Sequence, residues 1–195
     1  MGYTTWFTNT LQFNKEVTED LKNFINEFSR VRHMERDNNK IKEIFYDWKD
    51  KCYKGNLGNN GEYFIGGKGF AGQDEDNSIL EYNSILEYNC PAIGVPGLWC
   101  QWIINDNNQL EWDGSEKFYN YEEWLNYLIY HFFEPDGYVL NGTIKFQGED
   151  DNDFGEIIVC DNNVRLEYGI HVMNLSEIDD HSLIKELEDR GYKVS

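Results

Sequence analysis

VLNGTIKFQGEDDNDFGEIIVCDNNVRLEYGI, residues 139–170, decides the fold. It reads as three strands, Val139 to Gln147, Phe154 to Cys160 and Val164 to Ile170, with Asp161-Asn162-Asn163 as the turn between the last two. Immediately upstream, Trp124, Leu125, Leu128, Ile129, Phe132 and Phe133 recur at helical spacing and are stopped by Pro135 and Gly137. A broad apolar helix beside adjacent strands predicts a helix laid on an antiparallel sheet.

Further elements extend this core toward the N-terminus. Asn120 with Glu123 three residues on predicts a capping box for the helix. Leu98 to Ile104 and Gln109 to Asp113 flank Asn105-Asp106-Asn107-Asn108 and predict a hairpin. Tyr3 to Phe13 alternates loosely and predicts one strand with a bulge at Asn9-Thr10. Thr18 precedes Glu19 and Asp20 as an N-cap, and Leu21, Phe24, Ile25, Phe28 and Val31 form the buried face that follows. A second helix is expected over Asn39 to Lys51, from Ile41, Ile44, Phe45, Trp48 and Cys52, and a short strand with an exposed loop over Glu62 to Asp76.

The expectation is therefore an α+β fold: an antiparallel sheet of about five to seven strands, two or three covering helices, and a short C-terminal helix. Residues 1–170 form a single domain in this reading and residues 171–195 an acidic tail. Ser78-Ile79-Leu80-Glu81-Tyr82-Asn83 is repeated as Ser84-Ile85-Leu86-Glu87-Tyr88-Asn89. Two copies of a six-residue unit cannot build a solenoid, so one copy is expected to loop out.

With 195 residues the chain can bury a core without staples. No apolar run approaches the roughly 20 residues that a bilayer demands, and no basic-then-apolar leader opens the chain. Cys52, Cys90, Cys100 and Cys160 lack metal or redox spacing. A cytoplasmic protein with reduced thiols and no cofactor is expected.

Charge narrows the partners. Residues 1–70 hold 11 Lys/Arg against 10 Asp/Glu, whereas residues 71–195 hold 6 against 26. Such a field repels phosphate backbones and anionic lipid, so direct nucleic-acid or membrane binding is not expected, and a basic partner protein is.

No local pattern announces catalysis. Ser115 lacks a nucleophile elbow, and His33, His131, His171 and His181 stand apart, so no catalytic residue is assigned. Gly66 to Gly72 lacks the Lys-Ser/Thr ending of a phosphate loop and runs into Asp74-Glu75-Asp76. Glu149, Asp150, Asp151, Asp153 and Glu156 gather hard-cation donors, but Phe154 and Cys160 fall where a calcium loop needs glycine and glutamate. No metal site is expected there.

One constellation suggests a ligand pocket. Arg30, Arg32, His33 and Arg36 cluster after the first helix, and Trp99, Trp102, Trp112, Phe118, Tyr119 and Trp124 lie in the middle of the chain. Facing one another, Arg32, Arg36, Trp99, Trp102, Trp112 and Tyr119 would pair an anion with guanidinium and stack a planar group on rings. The bland alternative ties the arginines to the chain's own carboxylates and puts the rings in the core. In the tail, Leu183, Ile184, Leu187 and Tyr192 form a narrow stripe suited to docking on a partner.

Several segments also carry a resemblance. They are Gly2-Tyr3-Thr4-Thr5, Arg32-His33-Met34-Glu35-Arg36, Gly69-Phe70-Ala71-Gly72-Gln73-Asp74, Pro96-Gly97-Leu98-Trp99-Cys100-Gln101-Trp102, Glu116-Lys117-Phe118-Tyr119, Glu123-Trp124, Tyr127-Leu128-Ile129, Leu140-Asn141-Gly142 and Gly148-Glu149-Asp150. Together, over about residues 2–168, the chain resembles a family of small acidic proteins of phages, bacteria and large DNA viruses. The tail resembles a short acidic appendage in Asp179-Asp180, Leu183-Ile184, Glu186-Leu187-Glu188 and Arg190-Gly191-Tyr192. The resemblance implies a fold and a viral setting and no catalytic residues. Arg32-His33 departs from the paired arginines of the family pattern, and the 22 asparagines suit an AT-rich genome.

The functional expectation is a non-enzymatic acidic module that binds a basic or host protein. Two alternatives stand beside it: a binder or hydrolase of a nucleotide-like molecule at the arginine and tryptophan set, and a nucleic-acid mimic that inhibits a host defence or DNA-binding protein.

Overall fold

A computed structural model describes residues 2–66, 84–169, and Ile184 and Lys185. The fold is α+β, built on one main antiparallel sheet. Its strands are β1 (Thr5–Thr8), β2 (Leu11–Phe13), β5 (Trp102–Ile104), β6 (Gln109–Trp112), β7 (Leu140–Gly148), β8 (Phe154–Cys160) and β9 (Asn163–Tyr168). The order is β5-β6-β2-β7-β8-β9, with β1 paired to the far half of β7. A separate ribbon joins β3 (Met34–Arg36) to β4 (Ile85–Pro91).

The three strands of residues 139–170 form the antiparallel run β7-β8-β9, and the predicted hairpin forms as β5-β6. Alternation does the sorting: Ile144, Phe146, Ile157 and Val159 are buried, while Lys145, Gln147 and Cys160 face out. Helix α1 (Glu19–Phe28) and helix α3 (Tyr121–Leu128) bring their apolar faces into the same core as the sheet's buried residues. Thr18 caps α1 as the sequence predicts, its side chain accepting from the Leu21 amide. Asn26 of α1 clamps the β5 edge, donating to the Ile104 carbonyl at 3.0 Å and accepting from the Ile104 amide at 2.8 Å.

Four local expectations are corrected. The single strand over Tyr3 to Phe13 is two, because Asn9 takes a left-handed φ of 73° and swings the chain between the two halves of β7. The helix over Asn39 to Lys51 is α2 (Asn38–Ile44) followed by an extended Phe45 and a 3₁₀ turn, Trp48–Lys51. Ile41 and Cys52 belong to one small core with Leu57 and Phe64. On a straight helix those two residues would stand about 16 Å apart, so the chain must break to bring both together. Asn120 supplies no side-chain cap; it sits at φ 55°, and its Nδ2 donates to the Pro96 carbonyl at 2.5 Å. Of the strand and loop expected over Glu62 to Asp76, residues 62–66 form no strand beyond an isolated bridge from Phe64 to Cys52, and residues 67–76 lie outside the described residues.

After α3 the chain widens into a π turn, Ile129–Phe133, which buries both Phe132 and Phe133, and runs on into a 3₁₀ turn, Glu134–Asp136, that Gly137 ends in a left-handed conformation. The second copy of the hexapeptide leads into β4, while the first lies outside the described residues. In the tail, Ile184 and Lys185 are helical; Leu183, Leu187 and Tyr192 lie outside the described residues. No described helix is long and apolar enough to cross a membrane.

Candidate functional site

One end of the main sheet gathers charge and rings from four distant segments. The β7–β8 turn supplies Glu149, Asp150, Asp151 and Asp153, and the first turn of α3 supplies Glu122 and Glu123. The N-terminal strand entry is stitched across this end. Tyr3 donates its hydroxyl to Asp153 Oδ2 at 2.6 Å, its amide approaches the Tyr119 hydroxyl at 3.3 Å, and the Thr4 amide donates to Glu149 Oε1 at 2.9 Å.

The electrostatics identify the same neighbourhood. The Tyr3 phenol is raised, first because its hydroxyl donates to Asp153. Tyr121 is raised by burial first, then by the fields of Tyr168, Asp153, Glu122 and Glu123. Tyr119 and Tyr168 are 54% and 62% exposed, so large ring surfaces stand beside carboxylates and face solvent. Trp6, also exposed, pairs across β1 and β7 with Gln147. Chemically, this end offers what a row of cationic side chains needs: carboxylate oxygens for ion pairs and ring faces for cation–π contact.

Nothing pointed to Tyr3 or Tyr168 as site residues in the sequence alone. A trace lay in the co-occurrence of Gly2-Tyr3-Thr4-Thr5 with Gly148-Glu149-Asp150, segments that turn out to be stitched together.

The predicted arginine and tryptophan pocket is dispersed. Trp102 is fully buried against Phe7 and Phe118, and its Nε1 donates to the Tyr121 carbonyl at 2.9 Å. Trp112, half-buried, donates to Gln101 Oε1 at 3.0 Å. Arg36 is buried beside the small core, where it donates to Ser84 Oγ at 2.9 Å and lies over Phe64. His33 is no surface cation: buried, it donates from Nε2 to the Phe28 carbonyl at 3.0 Å, and burial lowers its pKa to about 3. Tyr119 belongs to the acidic end. Trp102 and Trp112 stay together as cross-strand partners of β5 and β6, packed on Phe7, and Arg32 and Trp99 stay together near Tyr88 of β4.

Two further groupings escaped the sequence. Glu62 is a buried carboxylate that accepts from Tyr127 at 2.8 Å, with His131 Nε2 4.0 Å away and the Tyr63 hydroxyl 2.8 Å from His131 Nδ1. Both ring nitrogens of His131 are thus directed at protein groups, which suits a fastener between the Gly58–Tyr63 loop and the π turn after α3 rather than a proton shuttle. Glu35, Glu87 and Cys90 converge across the β3–β4 ribbon with ligand atoms within 4.8 Å of one another, a set that could hold a metal ion. Asn60 Nδ2 already donates to Glu35 at 2.6 Å. In the β7–β8 turn, Asp153, Glu149 and Asp150 accept from the Tyr3 hydroxyl, the Thr4 amide and the Asn152 amide, which fixes the turn while leaving carboxylate oxygens for a partner.

Comparison with family models, with curated proteins and with solved structures gives no match.

Proposed function

We propose that the protein is a non-enzymatic binding module whose acidic end engages a basic segment of a partner protein. The reading is carried by one observation: six carboxylates and the exposed rings of Tyr119 and Tyr168 share one end of the sheet, with Lys117 near the Tyr119 hydroxyl. The wider surface agrees. Residues 84–169 contain 16 Asp/Glu and three Lys/Arg, and among the described residues Glu116, Glu122, Glu123, Glu134 and Asp161 form no ion pair.

Magnitudes select the kind of partner. An exposed ion pair contributes about 0–1 kcal/mol and an exposed cation–π contact about 0.5–1 kcal/mol. Association costs on the order of 4–15 kcal/mol in lost freedom. A lone lysine cannot offset that, so the partner presents several Arg or Lys side chains on one strand, helix or loop. In the viral setting that the resemblance implies, the partner is a host protein, and acids standing in for phosphates would make a DNA-binding protein a natural target.

The test uses an arginine- and lysine-rich peptide as probe, with affinity measured from about 0.1 M to about 1 M salt, over which the screening length falls from roughly 10 Å to 3 Å. Affinity is expected to fall at least about tenfold across that range, and neutralising Glu122, Glu123, Asp150 and Asp151 to Gln or Asn should reproduce the loss at low salt. Neutralising Glu134 and Asp161 at the opposite end should leave binding intact. Salt-independent binding, or equal loss from both variants, would sink the reading.

A further inference from the structure

Arg32 is anomalous in a protein so rich in carboxylates. Of the four described arginines, Arg30 pairs with Glu27 and Arg165 with Glu167, while Arg36 donates to Ser84. The Arg32 side chain donates to no acceptor among the described residues. Its Nε is buried and has no hydrogen-bond partner, although 36 Asp and Glu are present in the chain.

What holds the guanidinium is aromatic. Its carbon lies 5.2 Å from the Tyr88 ring centre and 5.9 Å from that of Trp99. A stem enclosed at Nε and a plane held by two rings give the group a set orientation before any ligand arrives. The terminal nitrogens make no hydrogen bond among the described residues and, unlike Nε, are not buried, so the open edge of the fork is its end. Tyr88 is 48% exposed and Trp99 only partly buried, which leaves ring surface next to that edge.

An arginine unpaired inside a negative molecule is costly to leave so. A buried donor without an acceptor costs more than an exposed ring contact returns. Pre-orientation lowers the entropy that an incoming anion would otherwise have to offset. The overall charge opposes anions at long range, but at physiological salt that field is screened beyond about 8 Å, and the local guanidinium dominates contact.

We propose that Arg32, Tyr88 and Trp99 form a site for the oxyanion of a small aromatic ligand, a carboxylate or phosphate whose two oxygens take the end of the guanidinium fork while its ring extends the stack. The site lies on β4 and the segments flanking β3 and β5, separate from the acidic end, and neither reading depends on the other. Lysine could not replace the arginine, because an ammonium offers a point charge where the fork offers two parallel donors.

The experiment follows the side-chain Nε–H resonance of Arg32 by NMR in the full chain, titrated with phenyl phosphate, benzoate and inorganic phosphate at matched ionic strength. Saturable shifts with phenyl phosphate or benzoate are expected, in the millimolar range for so small a contact, and weaker ones with inorganic phosphate. Comparing the two aromatic probes decides whether phosphate or carboxylate is the better head group. Calorimetry on Arg32→Lys should show affinity reduced about tenfold or more, and Trp99→Leu should weaken the aromatic probes but not inorganic phosphate. Thermal melts confirm that each variant is folded. The proposal is overturned if no probe gives a saturable shift by about 10 mM, or if Arg32→Lys binds as tightly as the parent.

Discussion

Single residues with buried polar atoms report most directly on this fold. His33 keeps a pKa of about 3 against an ordinary 6.5, because burial among Phe28 and Trp124 disfavours its charged form. The sign follows from which state takes the proton first. Below about pH 6.5 the unfolded chain protonates His33 while the fold does not, so this contribution is complete above 6.5, falls as pH drops, and levels off near 3. Between about pH 7.5 and 5 the loss should be about 2 kcal/mol relative to His33→Gln, measured by urea unfolding at both pH values. An unchanged difference would mean that His33 charges inside the fold. Tyr127 gives a second test: removing its hydroxyl in Tyr127→Phe leaves buried Glu62 without its 2.8 Å donor and should destabilise by about 1–3 kcal/mol.

At the scale of elements, β7 is the organiser, since β1 and β2 share one of its edges and β8 takes the other. The handover from β1 to β2 requires Gly142, whose φ is 137° and whose added Cβ would stand 3.2 Å from the Thr10 carbonyl. Gly142→Ala should therefore cost more than Gly114→Ala, which has a positive φ but nothing within 4 Å; about 2–3 against about 1 kcal/mol is expected in chemical denaturation. Equal costs would show that the β1–β2 crossing relaxes freely. The length and periodicity of β7, β8, β9, α1 and α3 made them readable from sequence, because each turns an apolar face to the core, fully buried in β7, β8, α1 and α3 and half-buried at Val164 and Leu166 of β9. The region from Ile41 to Phe64 was not readable in the same way. Its helical spacing is real, but the apolar residues serve a second small core that a straight helix cannot reach.

For the molecule as a whole, the formal charge is −19 and the described residues form few ion pairs, so self-repulsion opposes the compact state. Raising sodium chloride from about 0.1 M to about 1 M should raise Tm by a few degrees while weakening the basic-peptide complex. Those opposite signs separate the two effects in one titration. A Tm that falls with salt would mean that attractive pairs outweigh repulsion. The sequence by itself determined the fold class, the strand and helix faces and the acidic bias, because periodicity and charge are properties of residues in order. It also brought Arg32 and Trp99 into one hypothesis. Only the tertiary structure decided that Arg36, Trp102 and Trp124 are interior, that Tyr88 completes the Arg32 niche, and that Tyr3, Tyr119 and the β7–β8 acids meet at one end. The physical reason is that a ring or guanidinium gains comparable free energy from a core or from an open face. Which it occupies depends on packing across segments up to 150 residues apart in sequence.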